Sequence, residues 1–90
     1  MKTLFHSHFV RDLRKTKDQA LIKWVETAIE EIKAARTFAD ISDLKKLKGY
    51  PHCYRIRVGN YRIGVYCEGD EVQLMRLLHR KDIYRKFPES

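Results

Sequence analysis

The chain has 90 residues, of which 43% are hydrophobic and 34% charged, and its formal net charge is +7. This length indicates a single domain over residues 1–90 with a small core, and the excess of basic charge favours an anionic partner, either nucleic acid or an acidic protein segment. Two cysteines and the lack of a long apolar run exclude a disulfide scaffold and a membrane-spanning helix, so we expect a reduced protein of the cytoplasm without membrane contact.

The N-terminal half is predicted to hold a short strand and two helices. The strand covers residues 2–6, and Ser7 is predicted to cap a first helix over residues 8–15. A second helix is predicted over residues 17–35, where the apolar residues follow one another at steps of three and one, as on a helix face that covers a core. Trp24 lies in this apolar stripe and is therefore predicted to be buried.

The C-terminal half is predicted to form an antiparallel meander. Residues 37–48 before it are predicted to be irregular or briefly helical. Gly59-Asn60 and Gly69-Asp70 each fit a two-residue hairpin turn, which needs a positive φ angle. The alternating patterns around these turns predict strands over residues 53–58, 61–67 and 71–78, followed by a helical turn over residues 80–87.

These elements predict an α+β fold with two N-terminal helices packed on one face of an antiparallel sheet. The sheet contains the short N-terminal strand and the three-stranded C-terminal meander, and a short helical turn ends the chain. Because side chains alternate across a sheet, the meander presents an apolar face to the helices and a second, mixed face on the other side. The second face is predicted to carry Arg55, Arg57, Arg62, Tyr66, Met75, Leu77 and His79.

The arginines of the first hairpin form a cluster of one sign. Arg57 and Arg62 are predicted to be direct cross-strand neighbours, which destabilises a sheet unless an anion lies between them. No Asp or Glu occurs from Leu44 to Cys67, so no carboxylate nearby in the sequence can neutralise the cluster. Arginine presents a planar fork of donors that suits phosphate oxygens. The pattern favours a phosphate-binding face over the alternative of a solvated basic surface.

Three segments, FHSHFVRDL, LKKLKGYPHCYRIRVGNYRIGVY and HRKDIY, resemble the RelE/ParE superfamily of bacterial toxins from toxin–antitoxin pairs. The resemblance covers essentially the whole chain and implies a RelE-like fold. The basic hairpin favours the RelE branch, which implies a metal-independent endoribonuclease without a cofactor that cuts mRNA, often on the ribosome, and so inhibits translation and growth. The partners implied are mRNA, the ribosome and a cognate antitoxin with an acidic or amphipathic segment, through which oligomers are expected to form.

The resemblance also implies roles for individual residues. It places Arg55 and Arg57 at the family's paired basic positions, Arg62 at its phosphate-contacting arginine, Arg80 at a basic residue before the tail and Tyr84 at a base-stacking tyrosine. The chain departs from some active relatives, which have lysine at the first two positions and a tail arginine at the position that is Leu78 here. Further RNA contacts are predicted for Lys45, Lys46, Lys48 and Tyr66.

Proton transfer needs a residue other than arginine, because arginine stays protonated in proteins. His79 is the best candidate for the general base by its ordinary pKa and its predicted face. Tyr84, water or a phosphate oxygen are alternatives, and His79 then is an ordinary polar residue at a strand end. Tyr84 and Tyr66 have two readings each, base stacking or packing on the core.

The remaining histidines and the cysteines predict no further site, and two other functions are compatible with the sequence. His6 and His8 lack matching ligands elsewhere, so we expect no metal site, and the opposite parity of Cys53 and Cys67 indicates no bridge. One alternative function is a ParE-like inhibitor of DNA gyrase, which acts by binding and cuts no RNA. The other is an inactive relative that serves as a binding module.

Overall fold

The computed structural model describes residues 1–88, and the strands in this range form one sheet in the order β1-β5-β4-β3-β2. Strand β1 runs parallel to β5, whereas all other neighbours are antiparallel. None of the helices in this range is long and apolar enough to cross a membrane. The elements are β1 (Lys2–Phe5), α1 (Ser7–Lys15), α2 (Gln19–Ala34), a 3₁₀ turn (Phe38–Asp40), β2 (Leu44–Lys46), β3 (Cys53–Val58), β4 (Tyr61–Glu68), β5 (Glu71–His79) and α3 (Ile83–Lys86).

The predicted α+β layout is confirmed, with two differences in the sheet. The parallel pairing of β1 makes the sheet mixed rather than antiparallel. The segment 37–48, predicted as irregular or briefly helical, contains the 3₁₀ turn and also a fifth strand, β2, which pairs with residues 54–56 of β3. Three residues are too few for the alternation of a strand to be recognised in the sequence. This edge strand is defined by its pairing with β3.

A side chain caps the N-terminus of both α1 and α2. Helix α1 follows His6, whose Nδ1 accepts a hydrogen bond from the backbone N–H of His8 at 3.2 Å. The predicted N-cap, Ser7, is therefore the first helical residue. Helix α2 follows Asp18, whose carboxylate accepts from the N–H of Ala20 at 3.0 Å. These caps satisfy backbone donors that have no partner within the helix.

The apolar stripe of α2 packs on the sheet as predicted, except at Trp24. Val25 and Ile32 are fully buried, whereas Trp24 is 53% exposed, so the prediction that it is buried is wrong. Its ring lies against Gly59 in the β3–β4 turn, where φ is +59° and a Cβ atom would come within 2.6 Å of the ring. Trp24 thus packs on the end of the hairpin rather than between the helix and the sheet.

The register of the first hairpin is as predicted, and that of the second is not. Arg57 pairs with Arg62 across β3 and β4. In β4 and β5, Tyr66 pairs with Gln73, as a two-residue turn at Gly69-Asp70 requires, but a β-bulge next to Gly64 shifts the register by one residue beyond that pair. The residue without a partner is Met75, which packs on the second face of the sheet as predicted.

Beyond the bulge, the last residues of β5 lie on the opposite face of the sheet from the one predicted. Leu78 pairs with Arg62, and His79 pairs with Tyr61. Leu77 is buried among the residues beneath α1 and α2. The predicted placement of Leu77 and His79 on the arginine face is therefore wrong, because one extra residue in a strand moves every side chain beyond it to the other face.

Two apolar clusters lie on opposite faces of the sheet. We call the cluster beneath α1 and α2 the helix-side core and the smaller cluster beneath α3 the tail-side core. Cys67 belongs to the first and Cys53 to the second, and both thiols are free, as expected from their parity. Burial raises the pKa of both thiols, to about 12 for Cys67. The tail-side core consists of Leu47, Cys53, Leu78, Ile83 and Phe87.

Helix α1 covers the part of β5 that extends beyond β1. Asp12 accepts a hydrogen bond from the backbone N–H of Leu77 at 3.0 Å and two from the guanidinium of Arg76, at 2.8 and 3.3 Å. The side chains of Asp12 and Arg76 are only 8% and 15% exposed. The carboxylate thus replaces a neighbouring strand and protects an edge that would otherwise be open.

Candidate functional site

Four arginines lie around the β3–β4 hairpin. Arg55 and Arg57 extend from β3 and Arg62 from β4, and Arg57 is the direct partner of Arg62. Arg80 follows β5, and its backbone N–H donates to the carbonyl of Asn60 in the hairpin turn at 2.8 Å. We call these four residues the arginine cluster, which contains all of the arginines that were predicted to bind phosphate.

The backbone of the hairpin holds Arg62 in place. Its Nη1 donates hydrogen bonds to the carbonyl of Gly59 at 3.0 Å and to that of Tyr61 at 2.9 Å. Burial lowers the pKa of Arg62, and the positive charges of the other three members of the cluster lower it further. The charges of Arg55, Arg57 and Arg80 therefore all act on Arg62.

Within residues 1–88, no carboxylate forms an ion pair with a member of the arginine cluster. Arg76 is paired with Asp12, and Arg85 with Asp82, but among residues 1–88 none of the four cluster members forms a salt bridge. Like charges held together on a sheet destabilise it. An anion bound between these arginines would replace this repulsion with charge-assisted hydrogen bonds.

Tyr84 on α3 lies beside the arginine cluster. Its hydroxyl accepts a hydrogen bond from Nε of Arg55 at 3.4 Å. Tyr84 is 64% exposed, so its ring does not pack on the core. Ile83 and Phe87 of the same tail are buried instead, and they place the tyrosine at the surface.

His79 does not face the arginine cluster. It lies opposite Tyr61, with the two ring centroids 5.4 Å apart and the rings edge to face. Its Nδ1 accepts a hydrogen bond from the backbone N–H of Lys81 at 3.2 Å. Together with Asp12 and Asp82 it lines a shallow cavity. The structure therefore separates this predicted base from the arginines it was expected to assist.

The three lysines predicted to contact RNA have different positions. Lys45 pairs with Arg55, so the register places it on the arginine side of the sheet. Lys46 pairs with Tyr54, whose side chain packs against the helix-side core, and so belongs to the opposite side. Lys48 follows β2 and is exposed. Of the three, Lys45 is the one that the strand pairing brings to the arginine cluster.

The tail-side core contains residues that the sequence analysis did not identify. Phe87 lies directly on Gly64 of β4, and Ile83 is fully buried beside it. Tyr66, predicted to contact RNA, packs against this core, and its ring centroid is 5.3 Å from that of His52. The available signal was the glycine itself, because a glycine inside a strand often marks the close approach of another group.

The side chains of the arginine cluster have the donor groups that anion binding requires. Arginine forks can hold a phosphate and stabilise negative charge that develops on it, but they cannot accept a proton. Among residues 1–88, Tyr84 contacts the cluster through its phenol hydroxyl, which can exchange a proton. Within residues 1–88, no three His, Cys, Asp or Glu side chains are grouped so as to hold a metal ion.

Comparison with known proteins gives matches over nearly the whole chain. Residues 4–84 match the family described as the ParE toxin of the type II toxin–antitoxin system parDE. A protein named Toxin RelE3 from Methanocaldococcus jannaschii is 46% identical over 89 residues, which are 98% of this chain and 100% of that protein. Both matches include the arginine cluster and Tyr84.

Solved structures share the fold. A RelB–RelE antitoxin–toxin complex from Methanococcus jannaschii contains a chain that is 44% identical, with a TM-score of 0.78 over 94% of this chain and 99% of that one. An archaeal RelE–RelB complex from Pyrococcus horikoshii gives a TM-score of 0.71 over 91% and 97% of the two chains. The second pair is 19% identical and shows the shared fold alone.

Proposed function

Because the chain belongs to the RelE/ParE superfamily of toxins from type II toxin–antitoxin pairs, as its resemblance predicted, we propose that it is an endoribonuclease that cuts mRNA and inhibits translation. One observation carries this proposal: an arginine cluster without a carboxylate partner among residues 1–88 lies against an exposed tyrosine, with Arg55 and Tyr84 in contact. The arginines suit the phosphate of a nucleotide, and the tyrosine suits its base. The 46% identity to a protein named as a RelE toxin supports the RelE branch.

The arginine cluster binds the scissile phosphate and stabilises its transition state. The ribose 2′-oxygen attacks the adjacent phosphorus, the bond from phosphorus to the 5′-oxygen breaks, and the products are a 2′,3′-cyclic phosphate and a 5′-hydroxyl. Negative charge grows on the phosphoryl oxygens, and donors already in place stabilise it most effectively. Arg62 has this property, because the carbonyls of Gly59 and Tyr61 orient its guanidinium.

Tyr84 holds the base of the nucleotide that is cut. Its exposed ring offers a stacking surface that every base can use. In-line attack requires the 2′-oxygen, the phosphorus and the 5′-oxygen to be nearly collinear, which is uncommon in stacked RNA. A base stacked on Tyr84 and a phosphate bound by arginines define both ends of the nucleotide, so the bound geometry approaches that of the reaction.

The proton of the 2′-hydroxyl goes to a group other than arginine. Tyr84, a water molecule or a phosphate oxygen can accept it, and water or the tyrosine hydroxyl can return a proton to the leaving 5′-oxygen. Electrostatic stabilisation by the arginines therefore supplies most of the rate enhancement. His79 is not part of this scheme, because it lies with Tyr61 rather than with the cluster.

We expect His79→Gln to leave mRNA cleavage nearly unchanged. A general base typically contributes about 10²- to 10⁴-fold to the rate, and a residue outside the site should contribute far less than this. The measurement is the rate of cleavage of ribosome-bound mRNA by purified variant and wild type. If the cleavage rate falls by about 10²-fold or more in a variant with a normal unfolding curve, His79 does belong to the active site.

Induced expression with mapping of RNA ends tests the proposed function. The wild type should stop growth and translation, and primer extension should show discrete cuts within mRNA. The fragments should end in a 2′,3′-cyclic phosphate and begin with a 5′-hydroxyl. Intact mRNA in arrested cells would contradict the ribonuclease proposal.

The match to a family of ParE toxins supports a second candidate, a protein that inhibits DNA gyrase by binding. The arginine cluster is less easily explained by this function, since it would then have no reaction to stabilise. Broken DNA and filamentous cells after induction, with intact mRNA, would favour it. An inactive relative that only binds a partner would give neither toxicity nor cleavage at any expression level.

We infer that a cognate antitoxin binds this chain, since the similar chains with known structures include RelE in complex with RelB. A groove between α2 and the end of β3 is lined by Trp24, Ala28, Ile56 and Val58 and suits an amphipathic helix. The arginine cluster suits an acidic segment of the same partner. A partner that folds on binding can cover both surfaces, bring together several copies of the pair, and block mRNA and ribosome binding.

We expect binding of the antitoxin to weaken as salt is added. Between about 0.1 M and about 1 M salt, the Debye length falls from about 10 Å to about 3 Å, which screens attraction between exposed charges. The affinity can be followed by the fluorescence of Trp24, which lines the groove. Arg57→Glu should weaken binding more than Arg36→Glu, because Arg36 follows Ala35, whose carbonyl binds the N-terminus away from the cluster. Equal affinities at both salt concentrations and in both variants would rule out electrostatic capture of the arginine cluster.

A further inference from the structure

Apolar contacts hold the tail that carries Tyr84 on the sheet. Among the hydrogen bonds of residues 1–88, those made by residues 81–88 stay within the tail and its junction with β5, except for the one between Arg55 and Tyr84. Ile83 is 0% exposed and Phe87 5% exposed. The position of α3 therefore depends on how these two side chains fit into the tail-side core.

Phe87 can reach its position because residue 64 is glycine. A Cβ atom on Gly64 would lie 2.8 Å from both Cγ and Cδ2 of Phe87 and 3.0 Å from Cδ1, distances at which one of the two residues must move. Rotation of the ring cannot relieve this contact, because Cγ lies on the rotation axis. The side chain would have to turn about χ1, or the backbone of the tail would have to shift.

We propose that Gly64 and Phe87 are positioning residues for Tyr84. The ring of Phe87, packed on Gly64, fixes α3 so that Tyr84 lies beside Arg55. Helix α3 has only four residues, too few to hold a defined position by its own hydrogen bonds, and Tyr84 and Phe87 are one turn apart. This role rests on the proposed ribonuclease function, since it concerns the residue assigned to the reacting nucleotide.

A double-mutant cycle tests the proposal through cleavage of ribosome-bound mRNA at saturating toxin. Gly64→Ala and Phe87→Ala should each reduce the rate by up to about a hundredfold, the effect expected when a contact group is misplaced by about 1 Å. The double variant should be no slower than Phe87→Ala alone, because the added methyl then meets no ring. Independent losses that add in the double variant would overturn the proposal.

Hydrogen exchange supplies a readout that does not need activity. The amides of Lys86 and Phe87, bonded to the carbonyls of Asp82 and Ile83 at 3.0 and 2.9 Å, should exchange faster in both single variants. Val65→Ala is the matched control, since it removes buried methyl groups from the neighbouring residue on the helix side. It should lower stability without accelerating tail exchange or slowing cleavage under conditions where the protein is folded.

The outcomes separate the two proposals. If tail exchange accelerates in the variants but the wild type cuts no RNA, the packing role stands and the ribonuclease function fails. If the wild type cuts RNA and Phe87→Ala changes neither tail exchange nor rate, the positioning role fails and the ribonuclease function stands. Should Gly64→Ala not fold, Phe87→Ala decides alone by the same two measurements.

Discussion

Arg62→Ala is expected to abolish toxicity and to slow mRNA cleavage by about 10²- to 10³-fold, the loss seen when one preorganised donor to a transition state is removed. Arg62 pairs with Arg57, the carbonyls of the hairpin orient its guanidinium, and burial and the other members of the arginine cluster lower its pKa. The cleavage rate of Arg62→Lys should lie between those of the wild type and Arg62→Ala, because lysine keeps the charge but lacks the planar fork of donors.

The variant should remain folded, because truncation relieves repulsion between like charges on adjacent strands. Circular dichroism and a thermal unfolding curve provide this check. Arg36→Ala is a suitable control because Arg36 lies near the β4–β5 turn, away from the cluster. The N-terminus donates to the carbonyl of Ala35 at 2.8 Å, and the N–H of Lys2 donates to the carbonyl of Asp70 in that turn at 2.9 Å. A folded Arg62→Ala protein as toxic as wild type would show that the active site lies elsewhere.

Asp12→Ala is expected to lower the free energy of unfolding by about 3 to 5 kcal/mol, as when one partner of a buried ion pair is removed. The change leaves the guanidinium of Arg76 and the N–H of Leu77 without their acceptor in a largely buried place. For a domain of this size, a loss of about 3 kcal/mol lowers the Tm by roughly 12 °C or more.

Urea and thermal unfolding measure this effect. The matched control is Lys2→Ala, which removes a longer pair with Glu71 at 3.8 Å from a lysine that is 64% exposed. Exposed pairs contribute only about 0 to 1 kcal/mol, so the control should unfold almost as the wild type does. Equal stabilities of the Asp12→Ala variant and the wild type would mean that α1 is held on β5 by its apolar residues alone.

The arginine cluster could be predicted from the sequence because its geometry is local. Arg55, Arg57 and Arg62 belong to one hairpin, and a two-residue turn with glycine first sets which residues face each other. Alternation then puts the three side chains on one face. The resemblance to the RelE/ParE superfamily added Arg80 and Tyr84, which come from a tail whose position no local pattern specifies.

The predictions that were wrong concern positions that depend on contacts between distant parts of the chain. A bulge beside Gly64 moved His79 away from the cluster, and no sequence pattern in β5 marks the extra residue. Trp24 has the spacing of a buried helical residue, but at that point α2 passes the end of the hairpin and leaves the ring exposed. Strand β2 exists because the edge of β3 is available to pair with it.

By itself, the sequence determined the order and type of the main elements, the face of the first hairpin that carries the arginines, and the family. These follow from periodicity, turn residues and charge, which act over a few neighbours. Only the tertiary structure decided how Phe87 packs on Gly64, and hence where Tyr84 lies, which side of the sheet His79 occupies, and that Asp12 pairs with Arg76. Each of these depends on contacts between residues far apart in the chain, whose geometry is set when the sheet and helices pack together.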